Sequence, residues 1–249
     1  MSSYLKNKLD VKGVSKTYQD ELILKDITFS IKPNEFVSIV GPSGCGKSTL
    51  FNTIAGLTEP LEGDIHLDGA CITGIAGKIS YMHQKDLLLP WRDVMDNVAL
   101  PLELGGMKKQ DAYQKAEELL PLFGLDGHEK KFPSQLSGGM RQRVSLMRSY
   151  MLSKDVLLLD EPFGGLDAMT KANMQTYLLE VLERMQRTIL FITHDIEEAI
   201  FLSDRVIVLK ADPGAIVDIV DIDLPRPRHR DMVLDEAFIR TKKKLIALL

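Results

Sequence analysis

Residues 41–49 read Gly-Pro-Ser-Gly-Cys-Gly-Lys-Ser-Thr. Glu35–Val40 precedes them as a short apolar strand, and Thr49–Ala55 follows as a helix ended by Gly56. A strand, then Gly-x-x-x-x-Gly-Lys-Ser, then a helix is the context that a phosphate-binding loop requires. Glycines at 41, 44 and 46 admit backbone conformations that a side chain would block, so successive N–H groups can curl around a phosphate chain. A helix beginning near Lys47 offers unpaired amides and the positive end of its dipole to the same anion. Lys47 adds a point charge for the outer phosphates, and the Ser48 hydroxyl is placed to ligate Mg²⁺. The candidate nucleotide-binding set is therefore Gly41, Ser43, Gly44, Cys45, Gly46, Lys47, Ser48 and Thr49.

Outward from this loop, the rest of the chain sets bounds. Its 249 residues suffice to bury a proper core, and 45% apolar with 27% charged residues is ordinary for a globular protein. A net charge of −4 argues against a general nucleic-acid binder. The two cysteines, Cys45 and Cys71, give no disulfide framework and suit a reducing compartment. Met1–Lys6 leads into no apolar run, so no secretory signal is expected, and no stretch reaches the ~18 apolar residues of a membrane helix. A membrane role would have to come through a partner.

Alternation over residues 1–40 predicts strands with Val11, Val14, Ile23, Ile27, Phe29 and Ile31 facing inward. Further strands are expected at 64–67, 78–82, 155–160, 188–193, 205–209 and 215–220. From Asp93 to about Tyr150 the period turns helical, with a helix over 111–122 ended by Gly124. Helices are also expected at 171–187 and 196–202. A terminal amphipathic helix would carry Leu234, Phe238, Ile239, Leu245 and Ile246. Strands alternating with helices imply a mainly parallel α/β sheet, and the helical block at about 90–150 reads as an insertion into it.

Asp160 ends an apolar run typical of a strand buried on both faces, where a carboxylate can reach a Mg²⁺ shell. Glu161, beyond the strand end, is placed to polarise an attacking water. In Leu136-Ser137-Gly138-Gly139-Met140, Ser137 caps a helix whose first amides Gly138 and Gly139 leave open, which makes a second anion-binding helix start.

With these motifs in this order, the chain resembles the nucleotide-binding subunit of ATP-binding cassette (ABC) transporters, and the matching motifs span residues 18 to 194. The resemblance implies an α/β, P-loop NTPase (RecA-like) core with an antiparallel β region and an inserted helical subdomain, one cassette over residues 1–249. It implies ATP and Mg²⁺ as cofactors. Tyr18 matches the aromatic that stacks on adenine. Gln84 matches the glutamine that senses Mg²⁺ and the attacking water, so Ser48, Gln84 and Asp160 form the candidate metal set. Ser137, Gly138 and Gly139 match the signature that reaches the γ-phosphate held by the opposite subunit. Asp167 matches the loop joining the two subunits, and His194 the histidine on the γ-phosphate. Glu161, His194 and Gln84 are thus the candidate catalytic residues. Met140 stands where the family more often has glutamine, and Gly165 where it has alanine or serine.

Two copies would close head to tail over two ATP molecules, as a homodimer. The segment 84–106, with Pro90-Trp91-Arg92 at its centre, is similar to one in importer ATPases of the nitrate, sulfonate, taurine and thiamine-precursor group, where it docks an integral membrane permease. That resemblance places the subunit at the cytoplasmic face of the membrane, with an external solute-binding protein as an indirect partner. From length, with 55 residues after His194, the regulatory domain that some sugar importers carry is not expected. The basic tail, Arg226 to Arg230 and Lys242 to Lys244, suits a solvated face or an approach to anionic lipid. Two rival readings are weaker. Asn7-Lys8-Leu9-Asp10 is a guanine-reader string, but it precedes the loop instead of following it. A soluble cassette with a mechanical, non-transport role would be expected to bring a coiled coil or a second cassette.

Overall fold

The computed structural model describes residues 7–152 and 154–249, so the reading of Met1–Lys6 lies outside the described residues. In chain order the elements are β1 (Leu9–Tyr18), β2 (Glu21–Ile31), β3 (Phe36–Val40), α1 (Lys47–Ile54), β4 (Glu62–Leu67), β5 (Ala70–Cys71) and β6 (Ser80–Met82). There follow α2 (Val94–Leu104), α3 (Lys109–Phe123), α4 (Gly138–Met151), β7 (Val156–Asp160) and α5 (Ala168–Met185). The remainder is β8 (Thr188–Ile192), α6 (Ile196–Leu202), β9 (Arg205–Lys210), β10 (Ala215–Asp221) and α7 (Glu236–Leu248). The described residues form two compact units, 7–79 with 186–249, and those within 80–185.

In the first unit, β2, β1, β4 and β5 make an antiparallel sheet in that order. A second group of strands centres on β3, which pairs in parallel with β8 on one side and β9 on the other, while β10 closes against β9 antiparallel. Every residue of β3 and β8 is buried, as expected of parallel strands covered on both faces. Since Ile39 pairs with Ile192 and Val40 with Val208, the carboxyl ends of β3 and β8 emerge at one edge, and the loop after β3 leaves from there. A buried bidentate pair, Arg205 to Glu35 at 2.6 and 3.0 Å, fixes the opposite end.

The predicted inward set on β2 needs one correction. Leu24 is fully buried while Ile23 is only half-buried. The β1–β2 ladder shifts register between Val14 and Lys16 and again before Thr17, which moves the inward position by one residue. The terminal helix also differs from expectation. Phe238 and Leu245 pack inward seven residues apart, whereas Ile239 and Ile246 are exposed, and Leu234 lies outside α7 in a short 3₁₀ turn.

The second unit contains the parallel pair β6–β7, with Met82 opposite Leu159, and the helices α2 to α5. Each helix starts and stops where local chemistry dictates. Asp93 caps α2 through the Asp96 amide at 2.8 Å, Ser137 caps α4 through the Met140 amide at 3.3 Å, and Gly124, at φ +59°, terminates α3. The fifth helix begins at Ala168, three residues earlier than its apolar period suggests. Its true cap is Asp167, which accepts from the amides of Met169 (3.1 Å) and Thr170 (3.0 Å). No helix among the described residues is long and apolar enough to cross a membrane.

Candidate active site

In the first unit the phosphate loop is built as its sequence demands. Gly46 is the residue before α1 and has φ +91°, a left-handed backbone; a Cβ there would also lie 2.7 Å from the Leu24 side chain. A Cβ on Gly41 would lie 2.6 Å from the Leu209 carbonyl, so the loop runs hard against β9. No side chain caps α1, which leaves its first-turn amides without a side-chain partner at that cap. The Lys47 ammonium donates to the carbonyls of Gly41 (2.8 Å) and Pro42 (2.9 Å) and lies 3.8 Å from Cys45 Sγ. Cys45 is buried, and that burial pushes its thiol pKa up despite the lysine. Ser43, Gly44 and Ser48 are exposed along the loop, and Thr49 is half-buried.

His194 follows β8 directly and is exposed at the same strand edge from which the loop leaves β3. Its neighbours are tightly fixed. Asp195 caps α6 through the amides of Glu197 and Glu198, while Thr193 Oγ1 is hydrogen-bonded to Glu198 and accepts from the Asp195 amide. The far end of α6 is held by the tail: Arg228 donates to the carbonyls of Ile200, Phe201 and Ser203, and Arg226 to Leu202 O and Asp204. For Arg228 alone this corrects the reading of the basic tail as a solvated face; Arg226, Arg230, Lys243 and Lys244 are exposed. Arg228 is buried, and Lys242 and Lys244 pair with Glu197 and Asp218. Tyr18 ends β1, is 66% exposed and sits at the turn into β2, opposite Glu21.

In the second unit, β6 and β7 bring two side chains of one strand end to two carboxylates of the other. Tyr81 Oη donates to Asp160 Oδ2 at 3.2 Å, and Gln84 Nε2 donates to Glu161 Oε2 at 3.1 Å. Asp160 is buried, whereas Glu161 is half-buried and has φ +44°, a strained backbone for a non-glycine residue. Ser137 is exposed at the start of α4, with Gly138 and Gly139 as that helix's first residues. Hydrogen bonds from the Thr170 hydroxyl and amide hold the Asp167 carboxyl below the usual carboxylate range. Gly165 has φ +76°, so a glycine answers a backbone requirement at that position.

In the second unit, an aspartate carboxylate and a glutamine amide oxygen are donors of the kind that suits a hard cation. Among the described residues no group of three or more His, Cys, Asp or Glu side chains could hold a metal alone.

Sequence reasoning missed the contacts that tie α4 to the loop after Gln84. Arg141 Nε donates to Asp86 Oδ2 (3.2 Å), Ser145 Oγ to Asp86 O (3.2 Å), and Arg148 to Asp86 O (2.5 Å) and Leu87 O (2.8 Å). Asn97 closes the other side of that loop through Leu89, Arg92 and Asp93. The signal was present: Arg141, Ser145 and Arg148 stand at i, i+4 and i+7, so they share one face of the helix.

A strand, a glycine-rich loop and an open helix start, in an α/β fold with a carboxylate-ended strand, define a nucleoside triphosphatase of the phosphate-loop class. The ABC transporter family model matches residues 24–164. An uncharacterized ABC transporter ATP-binding protein of Methanocaldococcus jannaschii is 41% identical, over 98% of this chain and 92% of its own length. The aliphatic sulfonates import ATP-binding protein SsuB 1 of Rhodococcus jostii is 49% identical, over 89% and 86%. Among solved structures, the dimeric ABC transporter cassette MJ0796 superposes with a TM-score of 0.75 at 32% identity, over 87% of this chain and all of that one. The same cassette is also known in a post-hydrolysis state bound to ADP and Pi. CbiO1 of Clostridium perfringens, part of the ABC transporter complex cbiONQ, gives 0.80 at 26% identity, over 96% and 95%. This chain belongs to the ABC transporter family, as an ATP-binding and ATP-hydrolysing cassette with the antiparallel β region and helical region of that fold.

Proposed function

We propose that this subunit powers import of a small solute through a separate membrane permease. Relatives named for aliphatic sulfonate import favour a sulfonate-type organic anion. The observation that carries the reading is the Gln84–Glu161 hydrogen bond. It joins the carboxylate suited to activating water to the segment that displays Leu87, Trp91 and Leu104, which are 54, 72 and 80% exposed. An exposed aromatic and leucines beside a small cavity lined by His83, Lys85, Leu87 and Arg148 suit a permease helix docking there. The subunit then works at the inner membrane face without spanning it, and an external binding protein delivers the solute.

In this reading, two copies close head to tail; the related cassette MJ0796 is dimeric. Tyr18 stacks on adenine, and the loop from Gly41 to Thr49 wraps the phosphates. Lys47 and His194 hold the γ-phosphate, and Ser137, Gly138 and Gly139 of the second copy approach it with an open helix start. Asp167 lies at the join between copies. Glu161 accepts the proton of the attacking water, and the charge developing on the phosphoryl oxygens is met by Lys47, His194 and the loop amides. Ser48, Asp160 and Gln84 would hold Mg²⁺, with Gln84 Nε2 already committed to Glu161 and Oε1 the oxygen for the metal. When bound, the ion would neutralise charge on the β- and γ-phosphates.

Glu161→Gln should slow hydrolysis by about 10²- to 10⁴-fold while ATP still binds. Undiminished turnover would remove Glu161 from the role. The transport reading is tested by purifying the tagged subunit from gently solubilised membranes: a multi-span permease should accompany it. Soluble partners alone, with Glu161→Gln and ATP present, would favour the mechanical cassette instead.

A further inference from the structure

We infer that Tyr81 is a positioning residue that fixes the Asp160 carboxylate. In the parallel β6–β7 pair, Tyr81 stands opposite Leu158, two residues short of Asp160, so its side chain reaches along the sheet to the end of the neighbouring strand. There its hydroxyl donates to Oδ2 at 3.2 Å. Its ring is held from the other side by His83, centroids 3.9 Å apart and planes at 34°. A phenylalanine would fill the same space and keep the same ring contact, so packing does not call for the hydroxyl. Its work is directed at the carboxylate.

A carboxylate with one oxygen tethered cannot rotate freely about its last bond, and its other oxygen is presented in one direction. Outer-shell partners of this kind set the orientation and affinity of metal-holding carboxylates. Tyr81 and Gln84, both at the carboxyl end of β6, thus serve one carboxylate each, Tyr81 orienting Asp160 and Gln84 orienting Glu161. The inference rests on the reading of Asp160 as a Mg²⁺-holding residue.

The test is Tyr81→Phe, with ATP affinity measured by calorimetry in the presence of Mg²⁺ and again in EDTA, alongside thermal unfolding. The ratio of the two affinities isolates the metal's contribution. It should fall about tenfold, while the EDTA affinity and the unfolding midpoint stay at the parent values. A ratio unchanged within about twofold, or equal losses with and without metal, would overturn the assignment. Asp160→Asn serves as the control. If it leaves the ratio unchanged, the reading of Asp160 itself fails. If it lowers the ratio and Tyr81→Phe does not, the positioning role alone fails. Tyr81→Phe added to Asp160→Asn should cause no further loss, because the hydroxyl acts through the charge; an additive loss would overturn that route.

Discussion

Replacing Arg228 by methionine tests how α6, the helix that begins just beyond His194, is held. The guanidinium is 6% exposed, and one of its nitrogens donates to Ile200 O (2.9 Å), Phe201 O (3.1 Å) and Ser203 O (2.7 Å). Those carbonyls close the carboxyl end of a seven-residue helix, where a cation also meets the negative end of the dipole. Hydrogen bonds to a charged group contribute about 1.5–3 kcal/mol each, so three would contribute about 4.5–9 kcal/mol. Burial opposes this. It pulls the Arg228 pKa down to about 10, with the neighbouring Arg226 adding to the effect and Asp204 resisting it. That downward shift is roughly 3 kcal/mol against the charged form. Three acceptors sharing one nitrogen will not each receive a full bond, so the net loss on Arg228→Met should be about 2–4 kcal/mol. For a chain of this size that is a fall in unfolding midpoint of about 4–16 °C, read by calorimetry. Arg228→Lys should recover part of it. A loss under about 0.5 kcal/mol, the range of an ordinary surface substitution, would refute this balance of bonding against burial.

Other perturbations bear on the site itself. Gly46→Ala forces a side chain into φ +91° and against Leu24, so it should cost about 1–3 kcal/mol and abolish measurable ATP binding in a fluorescence titration. Under brief alkylation Cys71, which is exposed, should be modified first, and Cys45, buried with its pKa raised, should stay protected until the chain unfolds, as mass spectrometry of peptides would show. Arg148→Met should speed hydrogen exchange of the amides at 86–89 without altering that of β3, since Arg148 donates to two carbonyls of that loop. The Asp167 cap should persist as pH falls from 7 to 5, because its carboxyl stays charged below the usual range; it should be lost only in stronger acid, when protection of the α5 first-turn amides drops.

Much of this was legible because the informative signals are local. Gly46 and Lys47 announce a loop through spacing alone, and β3, β7 and β8 announce buried parallel strands as unbroken apolar runs. The start of α6 could be read directly, since Asp195 is a strong cap followed by two acidic first-turn residues. What escaped was non-local or irregular. The shift from Ile23 to Leu24 depends on bulges in the β1–β2 ladder, which no alternation pattern encodes. Arg228 looked like one charge among several in a tail, and only tertiary folding gives it three carbonyls to hold. Tyr81 read as a strand tyrosine because its partner, Asp160, lies on another strand 79 positions away.

The bonds between α4 and residues 86–87 reduce the number of parts that can move separately. Ser137 begins that helix, and Arg141, Ser145 and Arg148 grip the loop from its flank. Its 14 residues make a rod about 21 Å long. Displacing the loop without carrying the rod along would break several hydrogen bonds at once, two of them from a half-buried guanidinium. Mechanically, then, a push delivered beside Trp91 and the swing of the Ser137 tip are one motion with one stiffness, so a drug or a mutation that loosens the grip should uncouple the two without touching either end.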